Sequence, residues 1–75
     1  MNIELKCFAT LGRFAPENAD AYELPDETTV ADVLTALGIP EEEVKIIFIN
    51  GVKKELHAPL ADGDRLGLFP AVGGG

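Results

Sequence analysis

Residues 28–40 read TTVADVLTALGIP, and a change of rhythm in this stretch decides the fold. Val30, Val33, Leu34 and Leu37 recur at i, i+3, i+4 and i+7, which places them on one face of a helix. Thr29 followed by Asp32 has the spacing of a capping box, with Thr28 as an alternative cap. Gly38 stands where helices close in the left-handed conformation, and Pro40 prevents continuation.

On either side of this helix the period is two. Residues 2–9, NIELKCFA, alternate Ile3, Leu5, Cys7 and Ala9 against Asn2, Glu4, Lys6 and Phe8, the pattern of a half-buried strand. Residues 11–18 contain Gly12 and Pro16 and read as a loop. A weaker strand over 19–24 is expected to return as a hairpin partner of the first. Glu41-Glu42-Glu43 suits a short helical turn, and 44–49, VKIIFI, is a strand rich in β-branched and aromatic residues. Asn50-Gly51 is a strong hairpin signal, with residues 52–56 as the return strand. Residues 60–64 form a tight turn, 65–70, RLGLFP, a last strand, and 71–75 a flexible glycine tail. A hairpin, one helix, a second hairpin and a final strand make an α+β layer arrangement. With the last strand inserted centrally and parallel to the first, the topology is the β-grasp of ubiquitin: four to five strands in a mixed sheet on one main helix. The expected division is a single domain over 1–70 with the tail at 71–75.

Composition narrows the function. The chain has 75 residues, 13 acidic against 6 basic side chains, and a net charge of −7. So small a domain buries only about 60% of the surface of its unfolded chain, which disfavours a deep substrate pocket. The acidic balance argues against nucleic acid and anionic membranes, which attract Lys and Arg. A single cysteine forms no internal disulfide, and one Cys with one His makes a poor zinc site. The sequence contains no serine, glutamine or tryptophan, so a serine nucleophile is excluded. Ile46 to Ile49 is the longest apolar run, far too short to span a bilayer, and no apolar signal segment follows Met1. A cytoplasmic protein, monomeric when free, is expected. Cys7 falls on the apolar face of its strand and His57 is isolated, so neither belongs to a catalytic constellation.

The chemistry is expected at the end of the chain. Gly73, Gly74 and Gly75 follow a strand and an apolar Phe69-Pro70-Ala71-Val72. Glycine has no side chain to pack and the highest conformational entropy, so such an arm adds nothing to the fold. A frayed end is the plain reading. The functional one is a covalent handle, since consecutive glycines make a thread that enters a narrow catalytic tunnel and presents a terminal carboxylate to a partner.

Together IELKCFATLGRF, TTVADVLTALGI, IFINGVKKE, LADGDRLGLF and PAVGGG resemble the MoaD/ThiS family of ubiquitin-like sulfur carriers across essentially the whole chain. The LADGDRL turn and the terminal glycine pair are the most specific parts. Arg13 and the FPAVGGG ending are closer to the MoaD branch, the small subunit of molybdopterin synthase, although Gly73 stands where many members carry another small or polar residue. The resemblance implies a carrier with no catalytic side chains and no bound cofactor. A MoeB/ThiF-like enzyme would adenylate Gly75 using MgATP, and a persulfide sulfur would then leave a thiocarboxylate. A MoaE-like large subunit would accept that sulfur in molybdenum or tungsten cofactor biosynthesis. Gly73 and Gly74 would be gripped as the tail. Thiamine thiazole synthesis and protein modification are the alternatives.

A carrier needs an apolar grip. With Leu66, Leu68, Ile47 and Ile49 inward, Phe48 and Phe69 point outward and form, with Pro70 and Val72, the expected partner interface. A one-residue slip would reverse these faces. The acidic surface is expected to steer toward a basic cleft.

Overall fold

The computed structural model describes residues 1–71. Five strands make one mixed sheet: β1 (Asn2–Cys7), β2 (Tyr22–Glu23), β3 (Val44–Ile49), β4 (Val52–Lys54) and β5 (Arg65–Pro70). Their order is β2-β1-β5-β3-β4. The last strand is central, parallel to β1 and antiparallel to β3. Helix α1 (Val30–Leu37) lies on the chain between β2 and β3 and turns its apolar stripe to the core. This is the expected β-grasp.

The helix ends follow the sequence signals. The Thr29 side chain accepts from the Asp32 N–H while the Asp32 carboxylate accepts from the Thr29 N–H, closing the capping box. Gly38 has φ 74°, and the Ile39 N–H returns to the Leu34 carbonyl at 2.9 Å. Val30, Val33 and Leu34 are buried with Ile3, Leu5, Leu66, Leu68, Ile47 and Ile49 in one core. Leu66 and Leu68 expose 0% of their surface, because the central strand is covered by strands on both sides and by the helical layer.

Three boundaries differ from the sequence pattern. The first strand stops at Cys7, because Ala9 takes φ 52° and starts a 3₁₀ helix over Ala9–Phe14 where a loop is expected. That helix buries Leu11, which anchors it. The strand expected over 19–24 is reduced to Tyr22–Glu23, after a 3₁₀ turn at Ala19–Ala21. The return strand ends at Lys54 rather than 56. Beyond it the chain crosses to the helix, where the Leu56 and Ala58 carbonyls accept from the Ala31 and Val30 N–H groups. These contacts supply partners for helix N-terminal donors that would otherwise be unsatisfied.

The two turns at one end of the sheet are joined. Asn50 and Gly51 have φ 53° and 80°, as a primed two-residue hairpin requires. The Asn50 amide donates to Asp64 at 2.9 Å, and its oxygen accepts from the Arg65 N–H at 3.0 Å. Asp62 accepts from the Asn2 N–H at 2.7 Å. The acidic turn therefore fastens β1, β3 and β5 to one another.

Candidate functional site

Strand parity places two different surfaces on the sheet. Ile3, Leu5, Leu66, Leu68, Ile47 and Ile49 face the helix. Phe48 and Phe69 face away from it, as expected, and both are half-buried. Their rings meet edge to face with centroids 5.6 Å apart. A third ring joins them. Phe8, 39% exposed, stacks on Phe69 at 4.2 Å with the planes 6° apart. The three rings surround Gly67, which pairs with Phe48 on one side and Lys6 on the other. The result is a shallow groove of about 460 Å³ bordered by Phe8, Phe48, Phe69, Glu4, Lys6 and Arg65. The Arg65 guanidinium lies 3.9 Å from the Glu4 carboxylate.

Phe8 and Gly67 were not in the interface expected from sequence. The period-two pattern does put Phe8 on the outer face of β1, but the neighbour that makes it part of an aromatic group is Phe69, far along the chain. Pro70 corrects that expectation in the other direction. It shares the inward parity of Leu66 and Leu68 and is buried, so it belongs to the core side of β5. Val72, Gly73, Gly74 and Gly75 lie outside the described residues.

Other candidate groups stay apart from this face. Cys7 is half-buried and packs against the core, and burial raises its thiol above the ordinary value. His57 is exposed in the segment after β4. Arg13 pairs with Glu43 at 3.0 Å and lies 4.8 Å above the Phe14 ring, which ties the 3₁₀ helix at Ala9–Phe14 to a second 3₁₀ turn at Glu41–Glu43. Among the described residues no group of three His, Cys, Asp or Glu is placed to hold a metal. No helix among them is long and apolar enough to cross a membrane. What the open face offers is a shallow, partly exposed apolar surface.

Comparison with known proteins identifies the chain. The sequence model of the ThiS family matches residues 5–75. The chain belongs to the ThiS family. Members are small ubiquitin-like carrier and modifier proteins rather than enzymes in their own right. Solved structures agree with this ThiS-family fold. SAMP1, the small archaeal modifier protein 1 of Haloferax volcanii, is 28% identical, with 100% of both chains covered and a TM-score of 0.70. A putative molybdopterin converting factor, subunit 1, from Pyrococcus furiosus is 27% identical over 96% of this chain and 99% of that one, with a TM-score of 0.70. The Haloferax volcanii HVO 2177 protein is 27% identical over 100% of this chain and 87% of that one, at a TM-score of 0.76. No curated protein matches the chain.

Proposed function

We propose that the protein is a sulfur carrier for molybdopterin biosynthesis, the pterin of molybdenum and tungsten cofactors, with the carboxyl group of Gly75 as the carrying atom centre. The observation that supports it is the ThiS-family match over residues 5–75, which takes in the glycine pair Gly74-Gly75. A carboxylate is a poor electrophile at neutral pH. A MoeB/ThiF-like partner supplies MgATP: the Gly75 carboxylate attacks the α-phosphorus, pyrophosphate leaves, and an acyl-adenylate forms. The terminal sulfur of a persulfide donor then displaces AMP to form an acyl disulfide, and a thiol supplied by the partner enzyme or a thiol reductant attacks its inner sulfur, releasing the thiocarboxylate and leaving a disulfide. The sulfur is delivered in the active site of a MoaE-like large subunit.

The chain's own contribution is presentation. The β-grasp core holds β5 rigid, and β5 leads from the aromatic face directly toward residues 71–75, so Phe48, Phe69 and Phe8 are seized while Gly73 and Gly74 guide Gly75 to the reacting centre. The pterin assignment is supported by the likeness to the Pyrococcus furiosus molybdopterin converting factor subunit. We place the protein in the cytoplasm, where these biosynthetic partners would work.

The decisive experiment is the intact mass of the protein after incubation with the adenylating enzyme, MgATP and a sulfur donor. Replacement of one oxygen by one sulfur, lost when Gly74-Gly75 are deleted, is expected. An unchanged mass with a competent enzyme overturns the carrier reading. The likeness to SAMP1 favours a second reading, a protein modifier joined through Gly75 to lysines. Isopeptide-linked ladders in cells, abolished by the same deletion, would establish it. A thiocarboxylate that serves thiazole rather than dithiolene formation in reconstituted reactions would move the protein to thiamine synthesis.

A further inference from the structure

The outer surface of the sheet is apolar at its centre. Phe8, Phe48 and Phe69 surround Gly67, and Ile46 stands opposite Phe69 on the same side. All four apolar side chains keep part of their surface in water. Removing such surface from water favours association with another apolar surface, and the one always at hand is the same face of a second copy.

One row of the ladder bears on this. Lys6 lies opposite Gly67, Gly67 opposite Phe48, and Phe48 opposite Lys53. Directly opposed residues share a face of a sheet, so from β1 to β4 the row reads cation, glycine, ring, cation. The two lysines stand three strand spacings apart, roughly 14 Å. Both are exposed, and among the described residues neither forms an ion pair. Arg65, the third cation of this side, already lies 3.9 Å from Glu4. In a chain with six basic residues against thirteen acidic ones, two free lysines at the two ends of one row are a marked concentration of positive charge.

We propose that Lys6 and Lys53 form a charged bracket that keeps the open face from closing on a second copy of the chain. Symmetry supplies the reason. A pair of identical faces is related by a two-fold axis, and aligned sheets pack with their strands within about 30° of each other. With the axis along the strands, Lys6 of each copy meets Lys53 of the other. With the axis across the strands, Lys6 meets Lys6 and Lys53 meets Lys53. Like charges are brought together in both arrangements, and each such contact is unfavourable. A lysine at one end and a carboxylate at the other would instead form two ion pairs in the first arrangement. The bracket blocks the chain's own copy and leaves the rings open to any surface that lacks this pattern. The inference is independent of whether the chain carries sulfur or modifies proteins.

The test is sedimentation equilibrium of the full-length protein up to millimolar concentration. The wild type is expected to stay monomeric. Lys6→Gln with Lys53→Gln is expected to dimerise, with a Kd about tenfold or more below any shown by Lys45→Gln with Lys54→Gln. The two double variants have the same composition, and each loses two cations, which moves the net charge from −7 to −9. Overall repulsion therefore predicts association in neither. Lys54 lies opposite the inward Ile47, and Lys45 falls at the bulge of β3, so both are outside the row. Lys6→Glu with Lys53→Glu restores a bracket of one sign; it should be monomeric alone and form a mixed dimer with the wild type. Thermal unfolding checks that every variant is folded. A wild type that dimerises, a Lys6→Gln, Lys53→Gln protein that stays monomeric, equal association of the two double variants, or absence of the mixed dimer overturns the proposal.

Discussion

The ring of Phe8, the first residue beyond β1, lies flat against that of Phe69, the fifth residue of β5, at 4.2 Å between centroids. The contact exists because β1 and β5 run parallel with Cys7 opposite Leu68 and the Phe8 N–H bonded to the Leu68 carbonyl at 3.0 Å. Phe69 thereby holds two aromatic partners on a face that does not belong to the core.

Aromatic pairs of this kind contribute about 1 kcal/mol beyond area burial. Phe8→Ala is therefore expected to lower the urea midpoint by an amount equivalent to about 1 kcal/mol, and to leave the far-UV spectrum unchanged. Phe69→Asp should weaken partner binding by a larger factor than it weakens folding. A collapse of the fold in Phe69→Asp would show that this face carries core packing.

Asn50 combines a left-handed backbone with two side-chain bonds to the neighbouring turn. Asn50→Ala loses both bonds and is strained at φ 53°. A cost of about 1–3 kcal/mol is expected. Asn50→Gly keeps the permitted conformation and loses only the bonds, so it should be the milder of the two in denaturant titration. Equal effects would mean that the bonds alone decide.

Helix α1 has 8 residues, too short to be stable in isolation, so its cap matters. Thr29→Ala removes the acceptor for the Asp32 N–H and should cost about 1 kcal/mol. Thr29→Ser should restore most of it. Thermal unfolding of the three proteins side by side checks the order.

Leu66 lies on the central strand with 0% exposure. Leu66→Ala is expected to cost about 2–5 kcal/mol from lost transfer energy and an unfilled cavity. In a domain whose whole stability is of order 5–10 kcal/mol, a broadened or absent thermal transition should result.

Burial holds the Cys7 thiol above its ordinary pKa, so less thiolate is present at neutral pH. Alkylation of the native protein should be slower than that of the urea-unfolded chain at pH 7–8, and its rate should keep rising at pH values where the unfolded thiol has already levelled off. The linked effect on stability has a definite sign. The unfolded thiol releases its proton first, so folding loses stability as pH rises through that interval. Equal alkylation rates in the two states would show that Cys7 is accessible.

The sequence by itself determined the elements and most of their inner faces. The helix over Val30–Leu37, its capping box and its Gly38 stop are local devices, satisfied by residues three or four positions apart, and so are the Asn50-Gly51 turn and the alternation of Leu66 and Leu68. Where several local options compete, sequence was a weaker guide. Residues 19–24 and 55–56 carry strand-like residues, yet a local bond from the Ala21 N–H to the Asn18 carbonyl closes a turn at Ala19–Ala21, and bonds from the Ala31 and Val30 N–H groups draw residues beyond Lys54 toward the helix. The burial of Pro70 followed from the parity of β5 once Leu66 and Leu68 faced inward, although its position beside the tail suggested an exposed role.

Tertiary structure alone decided the composition of the open face. Parity states which way a side chain points and nothing about which strand lies beside it. Only the parallel pairing of β1 with β5 brings Phe8 onto Phe69, and only the pairing of β5 with β3 sets Phe48 across from Gly67. The same registers gather Lys6, Lys53 and Arg65 on one side of an acidic protein, because charge summed along a chain carries no record of where folding distributes it.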